Sequence, residues 1–288
     1  MSVLSRRSAL VMTAAAALVP VAARAQTVRT FSRMDDKGRP VTASAIVRGN
    51  GPLVVLVPSL GRGAADFDDL AARISAAGFQ TAAVDPRGVG LSRGPSDRVT
   101  MFDLADDFGM VAKGLSDKPA VFIGHAHGNR IVRALASRRP EQVSRLILLA
   151  AGGQVKMAPE VQTALGNVFV ATLTPEQHLA AVRTAFFAPG NDPSIWRGGW
   201  FADVAASQIA AGAATPSGAW LDGGQAPILI VQAANDRVAS PANAEALRKA
   251  HPDRVKVVII PNAGHAMLPE QPKLIADIVI NDLKSSGD

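Results

Sequence analysis

The stretch Gly124-His125-Ala126-His127-Gly128 closes a short apolar run, Ala120–Gly124, and opens a segment of helical character that reaches Arg138. Glycines on either side of a three-residue centre suit a sharp strand-to-helix turn, because residues without a Cβ let two backbones approach closely. In the pattern G-x-S-x-G such a turn presents a serine hydroxyl as nucleophile. Here the central residue is alanine. A methyl group attacks nothing, so chemistry at this turn must come from other groups. His125 and His127 form an H-x-H pair, but no third ligand stands at metal-site spacing. They are read as packing around the turn, and no metal is expected. The chain has no cysteine, which excludes a thiol nucleophile, a thiolate metal site and disulfides.

The elements that would hold this turn follow from the apolar runs. Leu53–Val57, Thr81–Val84, Ala120–Gly124, Leu146–Ala150, Ile228–Ala233 and Val255–Ile260 are rich in Val, Ile and Leu and barely alternate. Strands covered on both faces have this composition. Thr42–Val47 predicts an antiparallel strand near the start. Helical patterns lie between the runs: Asp66 to Ala77 with an apolar stripe at Phe67, Leu70, Ile74 and Ala77, then Thr100 to Leu115, Gly128 to Arg138, a helix opened by Ser240-Pro241, and Pro269 to Leu283. Thr100 with Asp103 reads as a loose capping box. Strands alternating with helices predict an α/β fold with a mostly parallel sheet flanked by helices. Residues 152–225 break the rhythm. They carry helical patterns near 159–172, 175–187 and 200–213, and all three tryptophans, Trp196, Trp200 and Trp220. This segment predicts a helical lid over a core of 26–151 and 226–288. Trp196 and Trp200 are read first as lid-to-core packing and, together with that, as candidates for an apolar substrate-binding wall.

Three further segments stand in chain order. Asp85-Pro86-Arg87-Gly88-Val89-Gly90-Leu91-Ser92 follows one strand, Asn235-Asp236-Arg237 another, and Asn262-Ala263-Gly264-His265 the last, with Pro269-Glu270-Gln271-Pro272 after it. With the pentapeptide, these segments resemble the α/β-hydrolase fold superfamily over nearly the whole chain, with alanine at the nucleophile-elbow position. The resemblance implies that His265 is general base and acid and that Asp236 orients its imidazole. It implies an oxyanion hole from the backbone N–H groups of His127 and Leu60. Where the family often has His-Gly-x after the strand corresponding to Leu53–Val57, this chain has Pro58-Ser59-Leu60; Ser59 is read as a turn residue rather than a displaced nucleophile. Asp85 and Arg87 are read as buttresses, Ser92 as a capping or turn residue, and His178 as a solvated residue of the lid.

Residues 1–25 read as a twin-arginine signal peptide: Arg6-Arg7, an apolar stretch to about Ala23, and Ala23-Arg24-Ala25 as cleavage site. The apolar stretch is short for a membrane span. Its removal leaves 263 of 288 residues and lowers the net charge from +6 to +3, because it takes away three arginines and no acid. The remaining basic residues are scattered as on a solvated surface, so no nucleic-acid partner is expected. The composition, 48% hydrophobic and 19% charged, suits a globular protein. The expected protein is periplasmic or secreted. It is hydrolase-like, acts on a small apolar ester, lactone or related carbonyl compound, needs no cofactor, and works by His/Asp proton transfer from a water or an acidic C–H. Two alternatives stand beside it: a non-catalytic small-molecule-binding relative, and a serine hydrolase disabled by a serine-to-alanine change.

Overall fold

A computed structural model describes residues 26–285; the segment read as a signal peptide lies outside the described residues. The chain runs β1 (Gln26–Met34), β2 (Pro40–Arg48), β3 (Leu53–Val57), α1 (Asp68–Ala76), β4 (Gln80–Val84), α2 (Met101–Leu115), β5 (Ala120–His125), α3 (His127–Arg138) and β6 (Val143–Leu149). Then come α4 (Pro159–Asn167), α5 (Pro175–Phe186), α6 (Ala202–Ala213), β7 (Ile228–Ala233), α7 (Pro241–Ala250), β8 (Val255–Ile260), α8 (Met267–Glu270) and α9 (Pro272–Ser285). The eight strands form one sheet in the order β1-β2-β4-β3-β5-β6-β7-β8. β1 and β2 pair antiparallel, as do β2 and β4, and every other pairing is parallel.

Alternate residues of the central strands feed two cores. Val55, Phe122, Leu146 and Ile230 pack with Phe108 of α2, Leu135 of α3 and Leu247 of α7. Val54, Leu56, Ile123 and Ile147 face the other way, against Leu70 and Ile74 of α1 and Ile275 and Val279 of α9. Each such side chain, taken fully out of water, contributes about 2 kcal/mol. This two-sided burial explains the uninterrupted apolar runs.

Three differences from the sequence reading have physical causes. β1 was not expected, because it is an edge strand with mostly exposed residues. It is held from below: Phe31 lies against Gly114 of α2, where a Cβ would strike its ring, and Arg33 pairs with Asp107 at 2.8 Å. The last helix is broken, since Pro272 begins α9 and cannot continue α8. His178 is half-buried and its Nε2 lies 3.2 Å from the Val168 carbonyl, so it is not simply solvated. The capping box at Thr100 and Asp103 is formed.

Candidate active site

β5 turns directly into α3 at Ala126, whose φ of 51° and ψ of −109° are unusual for a residue with a Cβ. Such a conformation costs about 1–3 kcal/mol and persists only where its surroundings impose it. They do so here. A Cβ on Gly128 would collide with the Val57 and Pro58 carbonyls, and one on Gly124 would lie 2.5 Å from the Asn129 amide. Strand and helix therefore meet as only glycines allow. Ala126 also donates its N–H to the Leu149 carbonyl at 2.9 Å.

Asp236 lies just beyond β7, and His265 in the loop between β8 and α8. His265 Nδ1 stands 3.0 and 2.9 Å from the two Asp236 carboxylate oxygens. Asp236 also accepts the N–H groups of Val238 (2.9 Å) and Ala239 (2.7 Å) and the Gln232 amide (3.3 Å). These donors fix the carboxylate in position against the imidazole. With Nδ1 donating, Nε2 carries the lone pair, and His265 stands on a cavity wall beside Ala126. Glu270 braces the loop, accepting the N–H groups of Gly264 (2.7 Å) and Ala188 (2.8 Å).

The loop after β3 completes the rim. Ser59 and Leu60 line the cavity. The Ser59 carbonyl accepts from Arg62 N–H, closing a tight turn with Gly61 at φ 59°. Gln208 Oε1 takes the Gly61 amide at 2.8 Å. Among the described residues, the neighbouring Leu60 amide has no such acceptor. Asp85 accepts Ala64 N–H at 2.8 Å and so anchors the same loop from below; burial pushes its carboxyl up from the usual range. Arg87 grips Asp107 with two bonds of 2.6 and 3.0 Å, and Ser92 ties the Asp85 carbonyl to β2 through the Ser44 N–H. No hydrogen bond links Ser59 to His265 among the described residues.

A model of the family described as serine aminopeptidase, S33, matches residues 50–272. The chain belongs to this family and is an α/β-hydrolase. It is 30% identical to the monoacylglycerol lipase of Mycolicibacterium smegmatis over 254 residues, covering 79% of this chain and 86% of that protein. It is 33% identical to the 2-(acetamidomethylene)succinate hydrolase of Mesorhizobium japonicum, but over 119 residues, which span 41% of this chain and 42% of that relative. The fold is similar to a thermophilic esterase from Thermogutta terrifontis, with a TM-score of 0.74 at 20% identity over 91% of this chain and 100% of that one.

In this α/β-hydrolase the segment between β6 and β7 roofs a cavity of about 530 Å³. Leu165 of α4, Phe186 of α5, Ile209 of α6 and Trp220 face it from the lid, and Ala126, His127, Arg130 and His265 from the core. Trp196 and Trp200, read as lid-to-core packing and as candidates for the substrate wall, do not line it. They pack on Phe186 with ring centroids at 5.5 and 5.2 Å, and both hold the Arg62 guanidinium at 4.5 Å. Arg62 is itself bound to Asp66 and the Gly198 carbonyl, so these two rings fasten the lid to the loop after β3. Trp220 takes the wall position instead.

The two histidines of the turn diverge. His125 is fully buried, and its Nε2 lies 2.8 Å from the His265 carbonyl. His127 points to the cavity with a shielded Nε2 that has no partner. Burial pushes His125 down to about 3, helped by the neighbouring His265; burial and the Arg130 cation push His127 down to about 3. In the unfolded chain each binds a proton near pH 6.5. Their contribution to stability is therefore complete above pH 6.5 and is lost as pH falls toward 3. Each histidine should give a slope of about 1.4 kcal/mol per pH unit in that window. Urea unfolding between pH 4.5 and 6 should show His127→Asn taking up about one proton fewer than the parent protein; equal uptake would contradict the neutral assignment.

Proposed function

We propose that this protein is an exported α/β-hydrolase that hydrolyses a small, largely apolar ester, lactone or related carbonyl compound without a protein nucleophile. Export rests on the twin-arginine pattern of residues 1–25, and cleavage after Ala25 would be read from the N-terminus of the periplasmic protein.

The carrying observation is the His265–Asp236 pair at 2.9 Å on a cavity wall, beside a turn whose central side chain is a methyl group. Nε2 of His265 takes a proton from a water next to Ala126. The resulting hydroxide adds to the substrate carbonyl. The carbonyl oxygen becomes an oxyanion received by the Leu60 and His127 N–H groups. His265 then returns the proton to the departing alkoxide, which leaves as alcohol. Asp236 stays ionised and stabilises the imidazolium. Relatives named as a lipase and as a hydrolase support hydrolysis as the reaction type.

Aryl esters and lactones of four to eight carbons should be turned over slowly by the wild-type protein and about a hundred-fold more slowly by Asp236→Asn, which keeps the shape but disturbs the tautomer. Saturable binding with no turnover in either protein would favour the non-catalytic relative. The preserved turn at Ala126 gives the disabled-serine reading its own support.

A further inference from the structure

The cavity wall contains no aspartate or glutamate, and its formal charge comes from Arg130. Arg130 stands four residues after Ala126 in α3, one helical turn along the same face. Helical side chains lean toward the N-terminus, so its guanidinium reaches back toward the turn. Its charge is felt there by His127. Among the described residues the Arg130 guanidinium makes no hydrogen bond and no ion pair. Its protein contact of note is the face of Trp220, 5.8 Å from the ring centroid. An aromatic face offers attraction to a cation but no acceptor for its five N–H donors. Burial makes the charge harder to carry and pushes its pKa down.

Two other arginines, both buried, do not behave this way. Arg62 has Asp66. Arg133, one turn further on, is almost wholly buried yet bonded to the carbonyls of Asn129, Leu221 and Gly152 and to the Asn129 side chain. It also lies on Trp220, at 5.0 Å, and feels the exposed Asp222 from a distance. Arg130 thus carries a positive charge without an ion-pair partner among the described residues, on a wall it shares with Gly152. A Cβ at residue 152 would come within 3.4 Å of the Arg130 guanidinium.

We infer that Arg130 is the receptor for a carboxylate carried by the substrate, so that the compound hydrolysed is a half-ester or similar carbonyl compound with an acid group beyond a short apolar chain. A guanidinium forks two parallel N–H bonds onto a carboxylate. Leu165, Phe169, Phe186 and Ile209 supply the apolar wall for the chain between. The inference rests on the hydrolytic reading for the word substrate, but the binding it requires does not depend on turnover.

The test is calorimetric binding of monomethyl adipate and dimethyl adipate to the full protein, with Arg130→Gln and Arg130→Lys alongside. The wild-type protein should bind the half-ester at least about ten-fold more tightly than the diester. Arg130→Gln should bring the two within about two-fold, and Arg130→Lys should keep part of the preference. Equal binding of both esters by the wild-type protein would overturn the inference, and that comparison needs no variant. A preference that survives in Arg130→Gln would overturn it too. Selective binding without any hydrolysis would leave the carboxylate receptor standing and remove the hydrolytic reading instead.

Discussion

Replacing His265 by alanine should lower kcat on a short aryl ester by about a thousand-fold, with KM changed only a few-fold. General-base help by a positioned imidazole is worth about 10²–10⁴, and here no protein nucleophile stands beside it to share the work. The variant should fold. Asp236 keeps the N–H groups of Val238 and Ala239 and the Gln232 amide when the imidazole leaves, so no bare carboxylate is stranded. His265→Gln, which refills most of the space, serves as a second reading of the same result. Steady-state kinetics on both variants decides the matter. Turnover within a factor of two of wild type would remove His265 from the chemistry.

Ala126→Ser should act in the opposite direction. The turn already carries a Cβ at φ 51°, so the serine adds a single oxygen on the cavity side and no new backbone strain. Its hydroxyl would enter a wall that already contains His265 and the Leu60–His127 pair. A gain of about 10³ in kcat/KM on an activated aryl ester is expected, with a burst of product from an acyl-enzyme. A serine-directed fluorophosphonate should label the variant. No gain and no labelling would mean that residue 126 does not address His265, against the geometry of the turn. The experiment also separates two histories of the site. A large gain shows that little but the hydroxyl is missing.

Much of this was legible in the residues. β3, β7 and β8 match their apolar runs end to end: β3 and β7 are buried along their whole length, and β8, although an edge strand with Lys256 and Ile259 exposed, keeps a Val- and Ile-rich run. β1 escaped because an edge strand facing water has no such signal. The turn at Ala126 and the Asp236–His265 contact could be anticipated from local pattern and chain order. The lid could not be placed in the same way. The pair Trp196 and Trp200 is conspicuous in the chain, yet its position follows from Arg62, a residue more than 130 positions away whose ion pair with Asp66 fixes where the rings stack. Gln232 and Gln208, which orient Asp236 and the Gly61 amide, are single glutamines with no motif around them. Arg130 did leave a trace: it lies one helical turn beyond the central residue of the pentapeptide, the spacing that brings a side chain back over the turn.

A hydrolase that works by moving protons alone has a simple kinetic signature. Wild-type protein at high concentration, mixed with p-nitrophenyl butyrate, should release nitrophenol linearly from time zero, and intact mass spectra taken during turnover should show only the unmodified chain. A burst of nitrophenol matched by a butyryl mass on Ser59, or on any other residue, would contradict direct attack by water at the His265–Asp236 pair.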